Sequence, residues 1–318
     1  MNWSKLQNVD RRVLYVILLV ATSLGLFLPS RIPNDPEPAA KDLYALLMQL
    51  PEDKPVIIQS DWTNSTRGET MGHLEALCRI LMSRRIKFVI YATADAQAGQ
   101  VALNVIRQIN EERKKAGLVT YREGVDYIYL GVFPNAEGAG QNMRNDIRKA
   151  WGTRQTKVDG QAGRVPVFDT AVLRNMRSVS DASLMVVITA SATIDVAVQR
   201  LSDKVTMACM STGVVAPSLL PFYQAGQLKG FAGGLRGAYD MEYMMAHGIN
   251  YSPTPGQEPK VTAEKFGEIP PVPEGKSFER AARYFGTLHI ALTLLILAVV
   301  MGNVGMFVAK KKAKGGNN

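Results

Sequence analysis

Two uncharged apolar runs, residues 13–30 and 284–309, lie near opposite ends of the sequence and constrain it more than any other feature. A helix needs about 20 mostly apolar residues to cross the hydrocarbon core of a bilayer. The second run exceeds that length, and the first sits at the short end of the range. Basic residues flank each run on its outer side: Lys5, Arg11 and Arg12 before the first, and Lys310, Lys311, Lys312 and Lys314 after the second. The positive-inside rule then puts both flanks in the cytoplasm. The expected topology has cytoplasmic tails at 1–12 and 310–318, transmembrane helices at 13–30 and 284–309, and everything between outside the cytoplasm. A bacterial inner membrane, with a periplasmic central domain, fits this layout. The basic start would also suit a signal peptide. The run ends in Leu-Phe-Leu-Pro-Ser-Arg without a small-residue cleavage site, so an uncleaved anchor is expected.

The formal net charge of +9 comes largely from the two tails. Basic residues beside a membrane segment serve orientation and attraction to anionic lipid. A nucleic-acid-binding face is therefore not expected. Cys78 and Cys209 both sit in apolar stretches. Two cysteines make no disulfide framework, and buried free thiols are expected.

Between the runs, a proline-bearing spacer (31–41) leads into an α/β pattern over 42–250. Continuous apolar stretches at 56–61, 87–93, 126–133, 184–191 and 205–211 read as buried strands. Helical periodicity marks 66–85, 98–115, 141–151, 193–201, 217–227 and 235–247. A brief helix at 43–50 precedes them, 170–176 is a further helical candidate, and 153–164 reads as an exposed loop. Strands alternating with helices imply a mostly parallel, doubly wound sheet, flavodoxin-like or Rossmann-like. Residues 251–283 hold six prolines between 253 and 273 and read as an extended linker.

Open parallel sheets bind ligands beyond the carboxyl ends of their strands. Those ends carry Asp61, Thr63 and Asn64; Thr93 and Asp95; Thr189 and Ser191; Ser211 and Thr212. A carboxylate there can ligate a metal or act as a base, and hydroxyls can hold an anion beside helix N-termini. The same residue types also cap helices, and Thr63-Asn64-Ser65-Thr66 before a helix carrying Glu69 suits capping. Gly138-Ala139-Gly140 follows a strand, as a phosphate loop would, but Met143 replaces the third glycine of a dinucleotide fingerprint and no Lys-Ser pair follows. His73 and Glu75 read as helix-surface residues, with no metalloprotease, redox or nucleophile-elbow motif around them. No catalytic residue, metal or cofactor is expected.

The stretch 226–245 is the least ordinary. Gly230, Gly233, Gly234 and Gly237 crowd around Arg236, and Tyr239, Met241 and Tyr243 follow. Glycine permits close backbone approach, while Met and Tyr make adaptable contact surfaces. A subunit interface and a tight turn feeding a core helix both fit.

The order of anchor, proline spacer, α/β domain and second anchor, with the opening LYALLMQLPEDKPVIIQSD, resembles the membrane-anchored auxiliary subunits of bacterial export and gliding systems. The resemblance is confined to that opening and layout, and it implies a scaffold role without assigning any residue. The expected function is a non-enzymatic membrane scaffold, in contact with the bilayer and assembling with itself or with other membrane-complex subunits. The competing expectation is an extracytoplasmic receptor or hydrolase using the strand-end cleft near Asp61 and Asp95.

Overall fold

The computed structural model describes residues 10–27, 35–93, 95–255, 267–276 and 278–315. Residues 28–30 of the first apolar run, 31–34 of the spacer and 256–266 of the linker lie outside the described residues. The chain divides into two compact units, 1–33 with 279–318, and 34–278.

In the first unit, α1 (Arg11–Phe27) packs against α10 (Arg280–Gly315). A Cβ on Gly25 of α1 would lie 2.9 Å from Ile290 Cδ1 and 3.0 Å from Thr287 Oγ1, so glycine sets that close approach. α10 contains an 18-residue window of mean hydropathy 2.3 that is almost wholly exposed. It is the one helix among the described residues long and apolar enough to cross a membrane. The sequence predicts two such helices. α1 is equally apolar in character but has 17 described helical residues and falls short.

The second unit begins with α2 (Pro38–Gln49), where Pro38 occupies the first helical position, which needs no N–H. Then follow β1 (Val56–Asp61), α3 (Arg67–Ser83), β2 (Phe88–Ala92), α4 (Ala96–Lys115) and β3 (Tyr127–Val132). α5 (Ala136–Asn145), α6 (Ile147–Trp151) and a small antiparallel hairpin, β4 (Gln155–Lys157) with β5 (Arg164–Pro166), come next. β6 (Leu184–Thr189), α7 (Thr193–Leu201), β7 (Met207–Ser211), α8 (Ala216–Gln224), β8 (Phe231–Gly233) and α9 (Gly234–His247) complete the alternation. β9 (Ile249–Tyr251) pairs with β10 (Gly267–Ile269) outside the main sheet.

The main sheet has six strands, all parallel, in the order β3-β2-β1-β6-β7-β8. Strand addition runs outward from β1 in one direction and from β6 in the other. This is the doubly wound Rossmann order, with its switch point between β1 and β6. Every residue of β1, β2, β6 and β7 is buried, so these strands are mostly apolar, with polar residues confined largely to the carboxyl ends of β1, β6 and β7. Alternate side chains feed two cores. Val56, Ile58, Phe88, Ile90, Val186 and Ile188 face one that includes residues of α2, α3, α4 and α9. Ile57, Val89, Met185 and Val187 face one that includes residues of α5, α6, α7 and α8. Each fully buried aliphatic side chain contributes roughly 1.5–3 kcal/mol of transfer free energy.

Several sequence expectations change. β8 is a strand inside the glycine-rich stretch. The loop 153–164 contains most of a hairpin. Residues 170–176 form turns, in which Thr170 Oγ1 donates to Val167 O at 2.6 Å, and not a helix. Gly138-Ala139-Gly140 lies within α5, where Gly138 N donates to the capping side chain of Asn135, so it is no phosphate loop. Residues 267–276 are docked and not an open linker. Val272 N donates to Met245 O at 2.9 Å, Tyr44 Oη donates to Pro270 O at 2.9 Å, and Glu274 forms a buried ion pair with Arg113. A Cβ on Gly275 would overlap the Met245 carbonyl.

Candidate functional site

The carboxyl ends of the strands meet in one register line. Asp61 of β1 stands opposite Thr189 of β6, Thr189 opposite Ser211 of β7, and Ser211 opposite Gly233 of β8. The topology thus brings together the side chains that sequence spacing singled out. Their hydrogen bonds show what they do there.

Asp61 is 1 % exposed. Its Oδ1 accepts from Thr93 N at 2.6 Å, and its Oδ2 accepts from Thr93 Oγ1 and Gln59 Nε2, both at 2.5 Å. Gln59 Oε1 accepts from Tyr91 Oη at 2.7 Å. Burial, and then the Asp61 charge, push the Tyr91 phenol well above its ordinary pKa, so it stays a donor. Asp61 therefore ties β1 to the end of β2. A buried carboxylate tolerates its site when hydrogen-bond donors surround it.

The neighbouring residues are similarly engaged. Thr93 is buried as the Asp61 partner, and Asp95 caps α4 through Gln97 N at 2.8 Å. Thr63 and Thr66 form a capping box ahead of α3. Thr189 Oγ1 lies 3.0 Å from Thr193 Oγ1 and accepts from Ser191 N at 3.0 Å. Ser211 Oγ donates to Thr212 O at 3.1 Å, and buried Thr212 donates its N–H to Thr189 O at 3.2 Å. Asn64 is the exception: it is exposed, and its side chain makes no hydrogen bond among the described residues. No group of three or more His, Cys, Asp or Glu comes together among the described residues.

The glycine-rich stretch is tight internal packing. A Cβ on Gly230 would sit 2.5 Å from Leu43 N, and one on Gly237 would sit 2.6 Å from Ala232 C. Gly233 abuts Ala216, and Gly234 adopts φ +62° beside Gly213. Tyr239 and Met241 are buried. Of the residues read as interface candidates, Arg236 is exposed and pairs with Glu37 at 3.3 Å, while half-buried Tyr243 stacks on His247.

His73 and Glu75 also depart from expectation. Both are buried, because α3 is covered by the sheet on one side and by α9 on another. His73 has no side-chain hydrogen bond, and burial lowers its pKa to about 4, so the ring is neutral at pH 7. The backbone of Ser211 and Gly234 faces it and opposes that shift in part.

The structure adds a cleft that sequence reading did not find. It lies along β3 beside the starts of α3 and α4, with a volume of about 460 Å³, and is lined by Asn64, Arg67, Gln97, Gln100, Tyr129 and Gly131 among others. Two ion pairs of buried arginines, Arg113 with Glu274 and Arg79 with the half-buried Glu112, were also missed. Comparison with protein-family models, curated proteins and solved structures finds no match. Functional assignment therefore rests on geometry.

Proposed function

We propose that this chain is a non-enzymatic membrane subunit, anchored by its apolar helices and presenting the parallel α/β domain for assembly with itself or other membrane-complex subunits. The observation that carries this reading is α10. Its long apolar window is left exposed by the protein, and a bilayer is the environment that would cover such a surface. In this reading α1 is a second, shorter crossing, at the lower limit of spanning length. The basic residues around both helices favour cytoplasmic termini, which would put the domain outside the cytoplasm, as in a bacterial inner membrane protein facing the periplasm.

The strand-end chemistry supports a structural role over a catalytic one. Asp61, Asp95, Thr189 and Ser191 all hold the fold together at the sheet's carboxyl edge. A general base or metal ligand must be reachable by substrate, and Asp61 is buried with three of its roughly four acceptor sites taken by donors from β1 and the end of β2. Native mass spectrometry of the full chain in mild detergent tests the assembly claim. Oligomers or a copurifying subunit are expected. A lone monomer at cellular concentration would refute it.

A further inference from the structure

We propose that the cleft along β3, beside the starts of α3 and α4, binds a small organic oxyanion, a carboxylate or phosphate attached to a flat or apolar body. The inference is independent of the membrane reading and assigns a site away from Asp61.

The cleft's shape comes from two glycines. α4 carries Gly99 where any Cβ would overlap the ring and hydroxyl of Tyr129, so the tyrosine lies directly against the helix and forms the floor. Gly131 holds φ +86°, in the left-handed region that favours glycine, next to the edge of β3 where its pairing with β2 shifts register. The resulting volume of about 460 Å³ falls in the range of small-ligand sites, ~300–1,000 Å³. Val101 and Val132 supply apolar wall beside the tyrosine ring.

The polar groups are donors without partners. The Arg67 guanidinium contacts only the Met71 sulfur, at 3.3 Å, and no carboxylate pairs with it among the described residues. The carboxamides of Asn64, Gln97 and Gln100 make no side-chain hydrogen bonds among the described residues, and neither does the Tyr129 hydroxyl. No lining residue is acidic. A second guanidinium stands behind the wall: Arg154 stacks on Phe133 at 4.3 Å, donates to Val132 O at 2.7 Å, and lies 3.5 Å from where a Gly131 Cβ would be. The first turn of the 20-residue helix α4 also opens here through Ala96 and Gln97. Asp95, outside the lining, caps the Gln97 N–H of that turn. The lining guanidinium of Arg67 and several neutral donors around an apolar floor, with Arg154 held behind the wall, favour an anionic head on an apolar body.

Isothermal titration of the full-length chain in detergent, with phenyl phosphate, benzoate and inorganic phosphate up to ~10 mM, tests this. At least one of the two organic anions should bind, and more tightly than inorganic phosphate. The stronger of the two identifies the head group. Arg67→Gln, at an exposed first helical position where folding is not at stake, should weaken binding by about tenfold or more. Arg164→Gln, on the exposed hairpin, should leave it unchanged. Absence of binding by both organic anions would overturn the proposal. So would an Arg67→Gln protein that binds like the wild type, or equal weakening by Arg164→Gln.

Discussion

Replacing Asp61 with alanine separates a structural carboxylate from a functional one by the sign of the stability change. The substitution removes the acceptor for Thr93 N, Thr93 Oγ1 and Gln59 Nε2, all in a site where Asp61 is 1 % exposed. The Thr93 hydroxyl can rotate toward another acceptor. The Thr93 amide cannot, and Gln59 is held by Tyr91 at its other end. Leaving two buried donors unsatisfied costs about 1–3 kcal/mol each, so the loss should be about 4 kcal/mol. That is a large part of the ~5–15 kcal/mol that stabilises a typical domain. For a domain of this size it corresponds to a fall in Tm of roughly 10 °C. Asp61→Asn should fall between, because it keeps one acceptor but turns a donor toward a donor. Differential scanning calorimetry on the detergent-solubilised protein reads both variants. A functional carboxylate at a strained site commonly gives neutral or stabilising variants on removal. If Asp61→Ala melts within about 2 °C of the wild type, or above it, the structural role is wrong.

Other perturbations follow from the same geometry. Gly230→Ala should destabilise by about 1–3 kcal/mol, because its Cβ meets Leu43 backbone, whereas Gly68→Ala, with open space around it, should not; urea denaturation compares them. His73 has a pKa lowered to about 4 by burial, so its stabilising effect is complete above the unfolded value near 6.5 and lost as pH falls toward 4. The wild type should therefore lose about 3 kcal/mol more than His73→Leu between pH 7 and pH 4, measured as the difference in urea unfolding free energy; parallel pH profiles would refute this. Glu274→Ala leaves Arg113 buried without its carboxylate partner and should cost about 3–5 kcal/mol. Limited proteolysis should then cut faster within 267–278, and an unchanged digestion rate would show that the pair does not hold that segment.

The fold was legible where burial is symmetric. β1, β2, β6 and β7 are covered on both faces, so each carries an apolar stretch that no exposed residue interrupts, even where β1 ends in the buried polar residues Gln59, Ser60 and Asp61. β8 was hidden because it has three residues, Phe231 to Gly233, amid glycines needed for contact with Leu43, Ala216 and Ala232. The docked segment 267–276 was hidden because prolines read as linker. Its attachment depends on partners remote in sequence, such as Arg113 and Tyr44. Asp61 and its neighbours were found by position, yet their role was not, since capping and catalysis use the same residue types. The cleft left almost no trace. Asn64 was singled out, but Arg67, Gln97, Gln100 and Tyr129 are ordinary residues from three separate segments. Only the pairing of Gly99 with Tyr129 across α4 and β3 makes them a site.

The central claim is a membrane anchor with the domain outside the cytoplasm, and its most direct measurement is cysteine accessibility. Cys78 and Cys209 are both fully buried, so the native protein is silent to an impermeant maleimide. Gln161→Cys, in the exposed turn of the β4–β5 hairpin, should react with that reagent in intact cells. Labelling only after the membrane is opened would put the domain in the cytoplasm and contradict the proposed topology.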